Sequence, residues 1–315
     1  MDRLPINKLF GLRVSQSIKN EAGDIICFDV IPARTDGTEK FLPKTNEAYV
    51  FSLDELIDIG IAIDENIPLL IWGPHGSGKS TVVEQFCVRT NRPCIRQQHS
   101  VDTERADIVG QWVLEGDKTV FHYGPLARAM INGLVYIADE YDFALPNVLS
   151  VYQAVLEGEA LIIPNAPADM AIVKPHPDFR FVATGNTNGS GDETGLYQGT
   201  QLQNAANYSR FGVTVYMTYT KSEDQILKNV FDGIPDIDVK MLLEFAKLVR
   251  EAYKKRDITN TFSTRELITV TRLAILRGRD KLNFRYGIER GFLARMSTVD
   301  GGAIRNIVGR VFEKE

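Results

Sequence analysis

The chain has 315 residues, 44% of them hydrophobic and 24% charged, and carries a formal net charge of −5. That size and balance fit a globular protein with room for one large domain and a smaller one, and exclude a disordered or low-complexity chain. No apolar stretch reaches the roughly 20 residues that cross a bilayer, the first ten residues lack a signal-peptide core, and Cys27, Cys87 and Cys94 form no CxxC pair, so a cytoplasmic location with reduced thiols is expected.

Residues 1–49 hold strand-like pieces such as Ile25 to Ile31 between turn residues, and read as a separate segment to which no role is assigned. A helix is expected over Leu53 to Glu65, followed by a short buried strand, Ile67 to Trp72. The next residues are Gly73, Pro74, His75, Gly76, Ser77, Gly78, Lys79 and Ser80, and from Thr81 the chain can continue as helix. Glycines at a strand-to-helix turn let successive N–H groups close around an anion at a helix N-terminus, and the GxxxxGK[ST] spacing is that of a nucleoside triphosphate loop. In that reading Gly73 to Thr81 bind ATP, Lys79 reaches the outer phosphates and the Ser80 hydroxyl ligates Mg2+.

Further apolar runs follow at Cys94–Ile95, Leu134–Ala138, Phe179–Thr184 and Val213–Met217, separated by segments that can hold helices. Five such runs imply a mostly parallel sheet covered on both faces. The run Leu134 to Glu140 ends in two carboxylates: Asp139 can hold the Mg2+ shell and Glu140 can polarise an attacking water, while Asp142 reads as structural. After Thr184 comes a polar tip in which Asn186 is placed to meet the γ-phosphate or the water; Asn188 competes for that role, and a plain Asn/Gly turn is the simpler alternative. Arg210, in Ser209-Arg210-Phe211 before the last run, divides evenly between a guanidinium offered to a neighbouring subunit and a surface salt bridge. Ser263 and Glu266 have the spacing of a capping box, which puts Arg265 in a first helical turn; from there it either reaches phosphates or is an exposed helix arginine. His75, His99, His122 and His176 lack the spacing of a zinc site.

These motifs, in this order and ahead of a helical tail, resemble the AAA+ ATPases and, within them, the MoxR group. Gln111 to Met130 is similar to that group's hairpin inserted in the second helix, and Leu156 to Phe179 to the hairpin before the sensor strand. The runs DEYDFALPNVLSVYQAVLE and KPHPDFRFVATGNTNGSGDETGLYQGTQ are similar to the CobS-type ATPase subunit of aerobic cobaltochelatases, although Ser209 stands where that group usually has aspartate before the arginine. The resemblance spans roughly residues 43–276. It implies Lys79 and Ser80 in the Walker A loop, Asp139 and Glu140 as the Walker B pair, Asn186 as first sensor, Arg210 as a finger acting in trans and Arg265 as second sensor. It also implies a hexameric ring of this chain, hydrolysing Mg-ATP and remodelling a partner with a von Willebrand A domain of the CobT type, which in the chelatase leads to cobalt insertion into a corrin precursor.

The expected fold is therefore α/β: a P-loop AAA+ core with a five-stranded mostly parallel sheet over residues 50–220, then an all-helical lid over 221–315. A nucleic-acid-dependent motor is the rival reading. The candidate hairpins weigh against it, because between Trp112–His122 and Leu156–Lys174 only Lys118 and Lys174 are strongly basic, too little charge to grip a phosphate backbone. Residues 272–315 hold ten basic against five acidic groups, a net +5 that leaves −10 on the rest; a solvated helical face accounts for this, and a contact with the acidic body of a neighbouring copy is the sharper alternative.

Overall fold

The strand before the glycine-rich loop is only four residues long, and it gains its stability from neighbours on both sides. In the computed structural model, which describes residues 2–12, 17–191, 197, 199–278 and 281–312, the strands in chain order are β1 (Asp2–Pro5), β2 (Cys27–Val30), β3 (Leu69–Trp72), β4 (Cys94–Gln98), β5 (Gly110–Glu115), β6 (Lys118–Tyr123), β7 (Val135–Asp139), β8 (Leu161–Ile162), β9 (Ile172–Val173), β10 (Arg180–Gly185) and β11 (Val213–Tyr216). Five of them form one sheet in the order β11-β3-β10-β7-β4, with every neighbouring pair parallel. All residues of β7 and β10 are buried, as are Leu69, Leu70 and Ile71 of β3. Continuous apolar runs are what a parallel sheet covered on both faces requires. All five runs read from the sequence lie in this sheet, and the expected α/β architecture holds.

The register fixes where function gathers. Trp72 pairs with Gly185, and Ala183 pairs with Ala138, so β3, β10 and β7 end together. Gly73, Asn186 and the Asp139–Glu140 pair therefore leave the sheet at one carboxyl edge, where α/β folds bind ligands. Behind that edge lies an aromatic core of Tyr136, Tyr141, Tyr152 and Phe181, all buried, with ring centroids 5.2 to 5.9 Å apart.

Contacts divide the chain into two units. One comprises Met1–Asn46, Phe51–Gly73 and Lys79–Met217; the other comprises Glu47–Val50, Pro74–Gly78 and Thr218–Glu315. Within the first, β1 and β2 pair antiparallel, and Phe10 and Phe28 pack on Phe86 of the helix Lys79–Arg89 with centroids 5.4 and 5.6 Å away. Asp64, at the end of the helix Leu53–Asp64, accepts from the Asp29 N–H at 2.9 Å and pairs with buried Arg92 at 2.9 Å. The N-terminal segment is thus fastened to the helix Lys79–Arg89 by aromatic contacts and to Asp64 by a backbone hydrogen bond, neither of which its strand-like pattern reveals.

The hairpin β5–β6 stands between the helices Arg105–Val109 and Pro125–Asn132, as the family pattern implies, and the two-residue strands β8 and β9 form the second hairpin. Trp112 Nε1 donates to the Asn165 carbonyl at 2.8 Å and links the two. In the second unit the helices Glu223–Val230, Asp236–Lys254, Thr264–Arg277, Phe284–Gly291 and Thr298–Phe312 surround Leu242, Phe245, Phe262, Leu267 and Ile304, which are fully buried. No strand occurs among the described residues after β11.

Candidate functional site

Two glycines of the loop after β3 sit where no side chain fits. Gly73 has φ +148°, and a Cβ there would lie 2.0 Å from the Met217 carbonyl oxygen; Gly76 has φ +68°, and a Cβ there would lie 2.5 Å from the Ser263 side chain. Tyr219 Oη donates to the His75 carbonyl at 3.0 Å, which fixes the loop on its other side. Ser263 starts the helix Thr264–Arg277 through the capping box read from the sequence: Glu266 accepts from the Ser263 N–H at 2.8 Å, and the Ser263 hydroxyl accepts from the Glu266 N–H at 3.4 Å. Arg265 in that first turn is exposed, with its Cβ 3.9 Å from the place a Gly76 Cβ would occupy. The second-sensor candidate therefore stands beside the tip of the loop. Ser77 Oγ is buried with no hydrogen-bond partner among the described residues, which suits a loop shaped to receive an oxygen-rich ligand.

Lys79 Nζ donates to the Gly73 carbonyl at 2.8 Å and to Asn186 Oδ1 at 3.1 Å. Of the two asparagines read as sensor candidates, Asn186 meets the loop lysine. Asn188 instead closes its own turn by accepting from the Ser190 N–H at 3.2 Å and hydroxyl at 2.6 Å.

Asp139 ends β7 and is buried. Its Oδ1 accepts from the hydroxyls of Ser80 and Thr184, and its Oδ2 accepts from Arg96 Nε at 2.9 Å and Nη2 at 2.5 Å. Burial by itself would raise the Asp139 carboxyl, but the two hydroxyls and the Arg96 guanidinium outweigh it and hold the group below the ordinary carboxylate value of 3.8. A hydroxyl beside an ionised carboxylate is an oxygen donor set that fits Mg2+. Glu140 follows in the left-handed region, φ +54°, a conformation that costs a non-glycine residue about 1–2 kcal/mol and turns its side chain out of the strand. Gln98 Nε2 donates to Glu140 Oε2 at 2.7 Å.

The Arg210 Nε donates to Glu157 at 2.7 Å and its Nη1 to the Ala206 carbonyl; neither partner belongs to the cluster of Lys79, Ser80, Asp139 and Asn186. The sequence reading missed Arg96, Gln98 and Thr184. Arg96 and Gln98 alternate along β4, and they face the carboxylates only because β4 pairs with β7 in the register Gln98↔Asp139. That alternation was visible, but the pairing was not. His99 is buried, with its ring nitrogens 3.0 Å from the Asp139 carbonyl and 2.7 Å from Tyr152 Oη, and desolvation pushes its pKa down. No group of three or more His, Cys, Asp or Glu side chains arranged to hold a metal ion occurs among the described residues, and no described helix is long and apolar enough to cross a membrane.

Comparison with known proteins agrees with this geometry. Residues 68–211 match the AAA domain family, dynein-related subfamily. The chain is 32% identical over 265 residues to the aerobic cobaltochelatase subunit CobS of a Sinorhizobium species, covering 81% of this chain and 79% of that one. It is 28% identical over 150 residues to the protein NorQ of Paracoccus denitrificans, covering 45% of this chain and 53% of that one. A RuvB variant of Thermotoga maritima shares the fold at TM-score 0.52 and 14% identity, over 87% of this chain and 82% of that one. With the match to CobS extending beyond the phosphate loop through both hairpins and into the helical unit, the chain belongs to the AAA+ ATPases, in the MoxR-type, CobS-like group.

Proposed function

We propose that the chain binds Mg-ATP at the carboxyl edge of β3, β7 and β10, hydrolyses it, and uses the hydrolysis as a ring of copies to remodel or activate a partner protein. The observation that carries this is the meeting of Ser80 and Thr184 on Asp139 while Lys79 meets Asn186. Gly73 to Thr81 would wrap the phosphates, with Lys79 countering their charge; Ser80 and Asp139 would hold Mg2+, which when bound supplies a Lewis acid to the phosphoryl oxygens. Glu140 would take the proton of the attacking water, Asn186 would hold that water or the γ-phosphate, and Arg265 would act as second sensor. Arg210 would serve the site of an adjacent copy. The likeness to CobS supports a partner of the CobT type with a von Willebrand A domain, and cobalt insertion into a corrin precursor as the family's example of the work done.

The test separates binding from chemistry. Glu140→Gln should bind ATP with wild-type affinity and hydrolyse it at least about 100-fold more slowly, since positioned acid–base groups contribute about 10²–10⁴-fold. Lys79→Ala should lose nucleotide binding. A Glu140→Gln protein with wild-type turnover would sink this assignment.

A further inference from the structure

Three hydrogen bonds that shape the loop after β10 end on one carboxylate oxygen. Asp142 lies in the short 3-10 turn Tyr141–Phe143 that follows Glu140, and it is fully buried. Its Oδ2 accepts from the Asn186 N–H at 2.9 Å, the Thr187 N–H at 2.8 Å and the Thr187 hydroxyl at 2.9 Å. Gly185 leaves the carboxylate just enough space, for a Cβ there would lie 3.1 Å from the Asp142 carboxyl carbon. The Asp142 carbonyl also accepts from the Gln201 N–H at 2.8 Å, so the residue fastens a second stretch of chain.

The other carboxylate oxygen, Oδ1, is buried with no partner among the described residues. Burial raises the Asp142 carboxyl above the ordinary carboxylate value, with the Thr187 and Asn186 donors pulling the other way. A buried acid with one oxygen crowded by donors and the other bare is not what stability alone selects, because desolvating a half-satisfied carboxylate is costly. What the arrangement achieves is position: with its own N–H and that of Thr187 held, Asn186 has little backbone freedom left, and its side chain lies where Lys79 Nζ is 3.1 Å away.

From this geometry we infer that Asp142 is the positioning residue of the γ-phosphate sensor. It fixes Asn186 against Lys79 and ties it to the turn carrying Glu140, two residues upstream, so that the water-activating carboxylate and the sensing amide move as one body. The inference rests on the roles proposed above for Glu140 and Asn186.

The experiment measures kcat, KM and equilibrium ATP affinity for Asp142→Asn, Asn186→Ala and the double variant, with thermal midpoints as a folding check. Asp142→Asn keeps the size but puts an amide where the carboxylate collects three donors. It should bind ATP within about twofold of wild type and lose about tenfold or more in kcat, and adding it to Asn186→Ala should cost less than about twofold more, because the two act as one unit. Should Asp142→Asn fail to fold, Thr187→Val removes one of the three donors alone and should lower kcat several-fold at unchanged affinity. Asp142→Asn at the wild-type rate, losses that multiply in the double variant, or an affinity that falls as far as kcat would each overturn the inference while leaving the ATPase reading intact if Glu140→Gln is inactive. Wild-type turnover in Glu140→Gln would remove that reading and the inference with it.

Discussion

At the scale of single residues, the site is organised around a carboxylate whose charge neighbouring protein groups hold in place. Asp139 stays ionised because two hydroxyls and Arg96 outweigh its burial. Its folded pKa lies below the ordinary 3.8, so its ionised form contributes stability that is fully present above that value and disappears as pH falls through the lower folded value. The thermal midpoint of wild type minus that of Asp139→Asn should therefore be constant from neutral pH down to about 5 and shrink below about 4. A difference that instead grows with acid would contradict the sign. Gly76 offers a second residue-scale test. A Cβ would meet Ser263 at 2.5 Å in a backbone conformation with φ +68°, so Gly76→Ala should cost more than the about 1–2 kcal/mol of the backbone conformation and weaken ATP binding, whereas the same substitution at Gly116, where φ is +60° with nothing within 4 Å, should carry that backbone cost alone and leave binding unchanged. Equal ATP affinity in the two variants would mean that the contact between Gly76 and Ser263 does not shape the loop.

At the scale of elements, the N-terminal segment is held by Phe28, whose ring is 2% exposed and lies on the helix Leu53–Asp64 at Gly60, where a Cβ would fall 2.1 Å from a ring carbon. Phe28→Ala should cost about 3–5 kcal/mol, and Gly60→Ala should cost about 1–3 kcal/mol in wild type but much less in the Phe28→Ala background, where the methyl group has the vacated space. Chemical denaturation of the four proteins reads this directly, and additive costs would refute the contact. This coupling marks the limit of what the sequence displays. The glycine-rich loop Gly73–Ser80, the Asp139–Glu140 strand end and the Ser263–Glu266 cap were legible because each is set by fixed local spacing, and the five strands because each is a continuous apolar run. The anchoring of Phe10 and Phe28 on Phe86, and the reach of Arg96 and Gln98 to the carboxylates, depend on packing and register between segments distant in sequence, which no local pattern encodes. The choice between Asn186 and Asn188 was open for the same reason: both sit in one polar turn, and only the meeting with Lys79 separates them.

At the scale of the whole molecule, two questions remain coupled: what the hairpins meet and whether activity belongs to the chain or to an assembly. The exposed large hydrophobic residues of β5 and β6 are Trp112, Val113, Leu114 and Val120, and Lys118 is the single Lys or Arg of the two strands, so single- or double-stranded DNA at physiological salt should leave the ATPase rate nearly unchanged. A several-fold, salt-sensitive stimulation would favour the motor reading instead. Arg210 decides the second question. Within its own chain it pairs with Glu157, which is half exposed, and a pair of that kind is worth under about 1 kcal/mol. If that pair were its whole purpose, Glu157→Gln and Arg210→Ala would behave alike. If Arg210 completes the site of an adjacent copy, Glu157→Gln should stay active while Arg210→Ala binds ATP normally and loses about 10³-fold or more in turnover, the scale on which a guanidinium supplied in trans acts. Mixing Arg210→Ala with Glu140→Gln gives the sharpest form of the test, because a mixed assembly holds some interfaces with an intact Glu140 on one side and an intact Arg210 on the other. Two nearly inactive proteins should then regain part of the wild-type rate, and specific activity should rise with total concentration as copies associate. Mixed assemblies confirmed by mass measurement that remain inactive, or an Arg210→Ala protein as active as Glu157→Gln, would leave Arg210 with no role beyond its bond to Glu157.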